Sequence, residues 1–304
     1  MSQTFVVTAT LLNLRARPEI APDNIVAKLG QGQTAQGDPT SSPAWLQVTA
    51  GNQQGFAATQ FLKLVAAAPA PAPIPAPAPA PGPVPPEVHF PPNVSAALNS
   101  TSHRHAPLAA LRVRPRLVGV PGPTRVAELH QIVTDLDVVR SMRYQPNTQT
   151  YCNIYAYDFC YLAAVYLPRV WWTSKALLAM AAGQPQEVVY DKTVREMTAN
   201  ALHRWLSEWG DDYGWEPCAT IADLQARANA GDVCLVTAER MDASRSGHIV
   251  VVLPEVPAHA ADRQAGGINA PLQSQAGRVN KAYFTSRWWM DSAMFRATGF
   301  WAKK

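Results

Sequence analysis

The chain has 304 residues, of which 47% are hydrophobic and 16% charged. That composition supplies ample material for buried cores and excludes general disorder. The formal net charge of +4, from 26 Lys and Arg against 22 Asp and Glu, is too small to argue for a nucleic-acid partner. Four cysteines without Cys-x-x-Cys spacing exclude a disulfide scaffold and a zinc-ribbon pattern. No run approaches the ~18 uninterrupted apolar residues of a membrane span. The first eighteen residues show no basic stretch leading into an apolar one and a small-residue cleavage site. Synthesis in the cytoplasm without a Sec signal is therefore expected.

Residues 4–64 read as short strands. Phe5-Val6-Val7-Thr8 and Leu11-Leu12-Asn13-Leu14 are β-rich, and Gly30, Gly32, Gly51 and Gly55 punctuate the later segments. About five strands in so short a block predict a small all-β barrel. From Ala66 the chain turns to alternating Ala and Pro, with ten prolines between Pro69 and Pro86. Each proline fixes φ and removes a donor, so a polyproline II spacer is expected, reaching roughly 55 Å over about 18 residues. The domain plan is thus 1–65, a Pro/Ala-rich linker at 66–95, and a second domain at 96–304 with its core at about 125–304. Within its first part, His103, Arg104, His105, Arg112, Arg114 and Arg116 read as a solvated basic face. Val126, Leu129, Val133, Leu136 and Val139 recur at helical spacing and predict a helix from Arg125 to Arg143. The remainder is α+β, helices first and strands later, with an antiparallel sheet.

The residues that can carry chemistry lie in that remainder. A polar stretch at Asn147–Thr150 gives way to an aromatic, apolar run that ends at Pro168, which predicts a helix beginning near Thr150 to Cys152. A thiol in the first helical turn sits among unpaired backbone N–H groups at the positive end of the macrodipole, which favours a thiolate and can hold an oxyanion. Cys160 lies deeper in the helix and reads as a small buried hydrophobe, and Cys218 sits in a simple turn. Such a nucleophile needs a base. His89, His103, His105, His130 and His203 fall in the tail, the connecting region or an earlier helix, and His259 in a Pro/Ala-rich loop. His248 alone heads a β-branched run, Ile249 to Leu253, behind a glycine that permits close backbone approach. Asp232 to Thr237 is expected to pair with it.

A third group should orient the imidazole, and Gln273, Gln275 and Asn280 are the candidates. Gln275 is preferred to Asn280. Glu255, at an odd offset from His248, would point to the opposite face of a strand. Asp158 lies roughly 120° around the helix from Cys152 and reads as a structural hydrogen-bond partner. Trp171-Trp172 and Trp288-Trp289 read as core, unless one faces a cleft, where it could stack on a glycan. Zinc is the chemical rival, through His248 with Cys234 or Cys218, but no His-x-x-x-Glu or His-Glu-x-x-His pair appears. No cofactor and no metal are expected.

Two resemblances sharpen this reading. Leu12-Asn13-Leu14-Arg15-Ala16-Arg17-Pro18, Ile25 to Gly32, Trp45-Leu46-Gln47-Val48, Gly55-Phe56 and Phe61-Leu62 together resemble a bacterial SH3-like domain, which implies binding of cell-wall peptide or glycan. The Cys152-Asn153 helix start and the Ser246-Gly247-His248-Ile249 strand resemble the papain-like cell-wall hydrolases, the CHAP and NlpC-type amidases and endopeptidases. Their spacing is long for that group, with Trp171, Trp172, Trp205, Trp209 and Trp215 in the insertion. The resemblance implies Cys152 as nucleophile, His248 as base, and cleavage of a peptidoglycan peptide amide at the wall or periplasm of a target bacterium. It would act as a phage endolysin or a secreted effector, such as a type VI effector, with peptidoglycan as partner and an immunity protein or secretion-system component as further ones. The alternatives are a papain-like toxin that deamidates or acylates a protein, and a non-catalytic wall-binding protein.

Overall fold

Alternation of inward apolar and outward polar residues builds the N-terminal strands. The computed structural model describes residues 3–39, 43–65, 84–91, 104–108, 113–115 and 122–304. Its contacts divide the chain into two units, Met1–Pro86 with Thr173–Gln186, and Glu87–Trp172 with Glu187–Lys304. The segment 173–186, which the sequence places with the second domain, thus groups with the first. The Pro/Ala run at 66–83, and His103, Arg112 and Arg116 of the basic stretch, lie outside the described residues.

The first unit contains β1 (Gln3–Val7), β2 (Leu11–Arg15), β3 (Ile25–Gly30), β4 (Thr34–Pro39), β5 (Trp45–Ala50), β6 (Gln53–Ala58) and β7 (Leu62–Leu64). They form one antiparallel sheet in the order β3-β2-β6-β5-β4-β1-β7. In β5, Leu46, Val48 and Ala50 are buried while Gln47 and Thr49 are exposed, the period of two that a half-buried strand requires. Phe5, Val7, Leu12, Leu14, Leu29 and Val48 share one core. A sheet that buries its own apolar face in this way must curl, and at Gly55 its strands β6 and β2 approach closely. A Cβ there would lie 2.6 Å from the Arg15 carbonyl oxygen. Among the described residues no pairing joins β3 to β7, so the strand order is open where the sequence predicts a closed barrel. β7, three residues long, offers little edge to complete one. Helix α3 (Ser174–Ala181) is also assigned to this unit, its first turn capped by the Thr173 hydroxyl, which accepts from Ala176 N–H.

The second unit is α+β. Helix α1 (Gly122–Leu136) ends seven residues short of the expected Arg143. Asp137 adopts a left-handed φ of 39°, which breaks the helical ladder, yet Val138 beyond it is still buried. Val139, the last residue of the expected apolar spacing, is exposed, so the spacing ends with the helix. Then come α2 (Cys152–Leu162), β8 (Val170–Trp172), β9 (Val194–Glu196), α4 (Ala199–Trp209), β10 (Glu216–Pro217) and α5 (Ile221–Asn229). The strands β11 (Val233–Arg240), β12 (His248–Val252), β13 (Asp262–Gln264), β14 (Gly267–Ala270), β15 (Leu272–Gln275), β16 (Lys281–Thr285) and β17 (Phe295–Lys303) complete the unit. Six of the strands make an antiparallel sheet in the order β10-β17-β11-β12-β15-β16. Its two faces are both covered, which explains why β11 and β12 read as unbroken apolar runs. On one face Cys234, Val236, Ala238, Val250 and Val252 pack with Leu224 and Ala228 of α5. On the other, Thr237 meets His203 of α4 at 2.9 Å and Ser274 meets Tyr155 of α2 at 2.5 Å. Among the described residues no helix is long and apolar enough to cross a membrane.

Candidate active site

Helix α2 begins at Cys152 itself. Helices α4 and α5 have Thr198 and Thr220 as caps, whose hydroxyls accept from first-turn N–H groups. The N-cap of α2 is Tyr151, which supplies no side-chain acceptor. Its first-turn donors are left for another acceptor, and the backbone N–H groups of Asn153 and of Ile249 in β12 both favour the ionised form of the Cys152 sulfur. Cys152 is 2% exposed. Tyr151, Asn153 and His248, which surround it, line a cleft of about 1470 Å3.

The head of β12 brings His248 next to Cys152, where each acts on the charge of the other. The imidazole Nε2 lies 2.8 Å from Gln275 Oε1 at the end of β15. Gln275 Nε2 in turn donates to the Val279 carbonyl at 3.0 Å, which turns Oε1 towards the ring. Nε2 therefore carries a proton and donates it, and Nδ1 is the atom left to face the sulfur. Burial pushes the Cys152 thiol up, but the charge and hydrogen bond of His248 and the two backbone N–H groups outweigh it, and the net shift is downward. Burial likewise pushes His248 down, and the thiolate together with Gln275 more than offsets that, so its net shift is upward. The two shifts are opposed in sense, the thiol moved towards its thiolate form and the imidazole towards its protonated form. The other thiols move the opposite way, because burial outweighs the one cation that acts on each, Lys303 at Cys160 and Arg227 at Cys218 and Cys234. Cys218 is pushed up to about 12, and Cys160 and Cys234 also lie above the ordinary thiol range.

Gly247 is what allows the strand to start here. A Cβ at that position would lie 2.3 Å from the Ala238 carbonyl oxygen and 2.4 Å from Asn200 Oδ1. Asn200 is itself fixed, since its Oδ1 accepts from Arg240 N–H at 3.0 Å and its Nδ2 donates to the Arg245 carbonyl at 2.8 Å. The turn from β11 to β12 is thereby clamped to α4. Trp288 packs edge-on against His248, ring centroids 4.6 Å apart. Its indole N–H donates to Gln273 Oε1 at 2.8 Å, and Gln273 Nε2 donates to the Ser286 carbonyl at 2.8 Å. Gln273, one of three candidates for the orienting group, therefore holds Trp288 and not the imidazole.

Asn280 is not brought to His248. Its Nδ2 donates to the carbonyls of Val138 and Tyr144, at 2.9 and 3.0 Å, and pins the loop after α1. The reason is the register of β15 with β16, which shifts between Gln273 and Gln275 and ends the ladder at Gln275–Lys281. The turn beyond carries Asn280 away. Glu255 is engaged by Arg263 and Asn229. Asp158 is buried and accepts from Arg143, at 2.6 and 2.9 Å, and from the Tyr144 hydroxyl at 2.8 Å. This network ties α2 to the segment that leads into it. Trp171, Trp172 and Trp289 are buried, whereas Trp288 lines the cleft. Asn200 and Arg240 carry no signal of their own in the sequence, since only tertiary packing assembles them, and packing alone singles out Trp288 from the two tryptophan pairs. Among the described residues no group of three His, Cys, Asp or Glu side chains is placed to hold a metal ion.

No protein-family model matches this chain, and no curated protein matches it. Among solved structures, NlpC2 from Trichomonas vaginalis aligns over 98% of this chain and 98% of its own, at 8% identity and a TM-score of 0.22. An overlap that loose bears on neither fold nor chemistry.

Proposed function

We propose that the second unit is a cysteine-dependent amide hydrolase of papain-like type. The observation that carries this reading is the chain Cys152–His248–Gln275, in which a buried thiol is pulled down and its imidazole partner up. The Cys152 thiolate attacks the amide carbonyl carbon and forms a C–S bond, and the carbonyl oxygen takes up the displaced electron pair. Backbone N–H groups at the start of α2 stabilise that oxyanion. The His248 imidazolium gives its Nδ1 proton to the amine nitrogen as the C–N bond breaks, which leaves a thioester on Cys152 and a neutral imidazole. Water then attacks the thioester, His248 takes its proton, and the carboxylic acid departs as the C–S bond breaks. Gln275 Oε1 keeps the ring's other nitrogen protonated throughout.

The substrate class comes from the motif resemblances, which point to a peptide amide of bacterial peptidoglycan, with the SH3-like first unit as a wall-binding module. Linking the two raises the concentration of the hydrolase at an insoluble substrate. A zymogram on purified walls tests this: clearing by the intact chain and none by Cys152→Ala is the expected result. Clearing that persists in Cys152→Ala overturns the thiol mechanism. An intact wall beside a modified protein target moves the same chemistry to the toxin reading.

A further inference from the structure

Three guanidinium groups line the cleft that holds His248, and among the described residues none of them forms an ion pair. Arg240 ends β11, Arg245 lies three residues before His248, and Arg278 three residues after Gln275; all three line the cleft. They are close enough that Arg245 and Arg278 each act on the charge of Arg240. Several other arginines of this unit are paired: Arg143 with Asp158, Arg204 and Arg296 with Glu239, Arg227 with Asp232 and Glu216, and Arg263 with Glu255. Among the described residues no carboxylate lies within ion-pair distance of Arg240, Arg245 or Arg278. Asp242 and Asp291 act on Arg240 from beyond ion-pair distance and offset it only in part, since the cleft lining holds five Lys and Arg against two Asp and Glu. Asp242 accepts from the Ser244 hydroxyl and N–H, and Asp291 from the N–H groups of Ala293 and Met294.

Arg240 is also held in place, which a merely solvated arginine is not. Its Nε donates to the Ser246 carbonyl at 3.1 Å and its guanidinium lies 5.1 Å from the Phe295 ring centroid. One of its five N–H donors is thus committed to a carbonyl, and the remaining four form no hydrogen bond among the described residues. Crowding like charges costs free energy that an anion would return, and a planar fork suits a carboxylate in two-point contact.

We propose that Arg240, Arg245 and Arg278 form an anion subsite beside Cys152 and His248, and that the substrate is an acidic peptide whose carboxylate docks there. This rests on the amide-hydrolase reading above, because a thiolate that makes acyl intermediates takes a carbonyl substrate and not a phosphate. The subsite fixes which amide is presented to Cys152, since a carboxylate anchored on these arginines sets the distance to the reacting carbonyl.

The test uses alkylation of Cys152 in the full chain, read by intact and peptide mass. Iodoacetamide is neutral and reports the thiolate alone, whereas iodoacetate is an anion of similar size. At low ionic strength the iodoacetate-to-iodoacetamide rate ratio should fall about tenfold on Arg240→Gln with Arg278→Gln, and the wild-type ratio should fall towards that of the variant in about 0.5 M salt. Arg245→Gln, at an exposed position, should lower the ratio on its own without touching the contacts of Arg240. Arg140→Gln, whose side chain is outside the cleft, should not change it. An unchanged ratio in the Arg variants, with normal iodoacetamide labelling, overturns the subsite and leaves the hydrolase reading standing. Absence of iodoacetamide labelling near about pH 6, where an ordinary thiol is protonated, overturns the hydrolase reading itself. Tri-glutamate should slow iodoacetamide labelling of the wild type and not of the double variant, and tri-glutamine should slow neither. Protection by an oligothymidylate but not by tri-glutamate would overturn the acidic peptide in favour of a nucleic acid.

Discussion

Adding one methyl group at Gly247 should disarm the site without touching any residue that reacts. The new Cβ would sit 2.3 Å from the Ala238 carbonyl oxygen and 2.4 Å from Asn200 Oδ1, where ordinary contact begins at about 3.4 Å. Neither neighbour can step aside. The Ala238 oxygen belongs to the β11 backbone, paired with His248 on one side and Thr298 on the other, and Asn200 is held by Arg240 and Arg245. The head of β12 must therefore move by about 1 Å, and His248 moves with it. A displacement of that size costs on the order of 100-fold in a reaction that depends on near-attack geometry, and the overpacking itself costs about 1–3 kcal/mol of stability. Wall clearing and iodoacetamide labelling of Cys152 should both fall in Gly247→Ala while the far-ultraviolet circular dichroism stays native. Gly267→Ala is the control, since its nearest neighbour would be 3.8 Å away, and it should behave as wild type. Native labelling kinetics in Gly247→Ala would refute the idea that this glycine sets the thiol–imidazole distance.

The opposed shifts of Cys152 and His248 predict a bell-shaped pH dependence with a definite sign. Cys152 is shifted down, so thiolate absorbance near 240 nm should persist well below the ordinary thiol range and vanish in Cys152→Ala; His248 is shifted up, so the pair is lost on the alkaline side only above the ordinary imidazole range. Gln275→Leu removes the acceptor for Nε2–H, and the alkaline limb should move to lower pH with a loss of roughly tenfold or more in labelling rate. Asn280→Ala should leave that limb in place and lower the melting temperature, because it releases the carbonyls of Val138 and Tyr144. Asp158→Ala strands the buried Arg143 and should cost about 3–5 kcal/mol, measured by denaturant unfolding.

The features legible in the chain and those hidden from it divide along physical lines. The helix start at Cys152 and the strand start at His248 are local events. A polar-to-apolar switch marks the first, and a glycine ahead of a β-branched run marks the second. Both leave their signature within a few residues of the side chain concerned. The end of α1 is local too, but it is set by Asp137 taking a left-handed φ, which aspartate tolerates and does not announce. The orienting group is another matter. Gln273, Gln275 and Asn280 all lie within eight positions on one hairpin, and a register shift between Gln273 and Gln275 decides their fates. It leaves Gln275 against His248, Gln273 beneath Trp288 and Asn280 on the loop after α1. Composition cannot encode such a shift, because displacing a strand by one residue exchanges its two faces and changes nothing in the sequence. The cationic lip shows the same division. Arg240, Arg245 and Arg278 are spread over nearly forty residues of a chain with a small net charge, and only the antiparallel order β11-β12-β15 stacks the ends that carry them. The charge that matters to a substrate is thus made by topology, and a balanced composition conceals it.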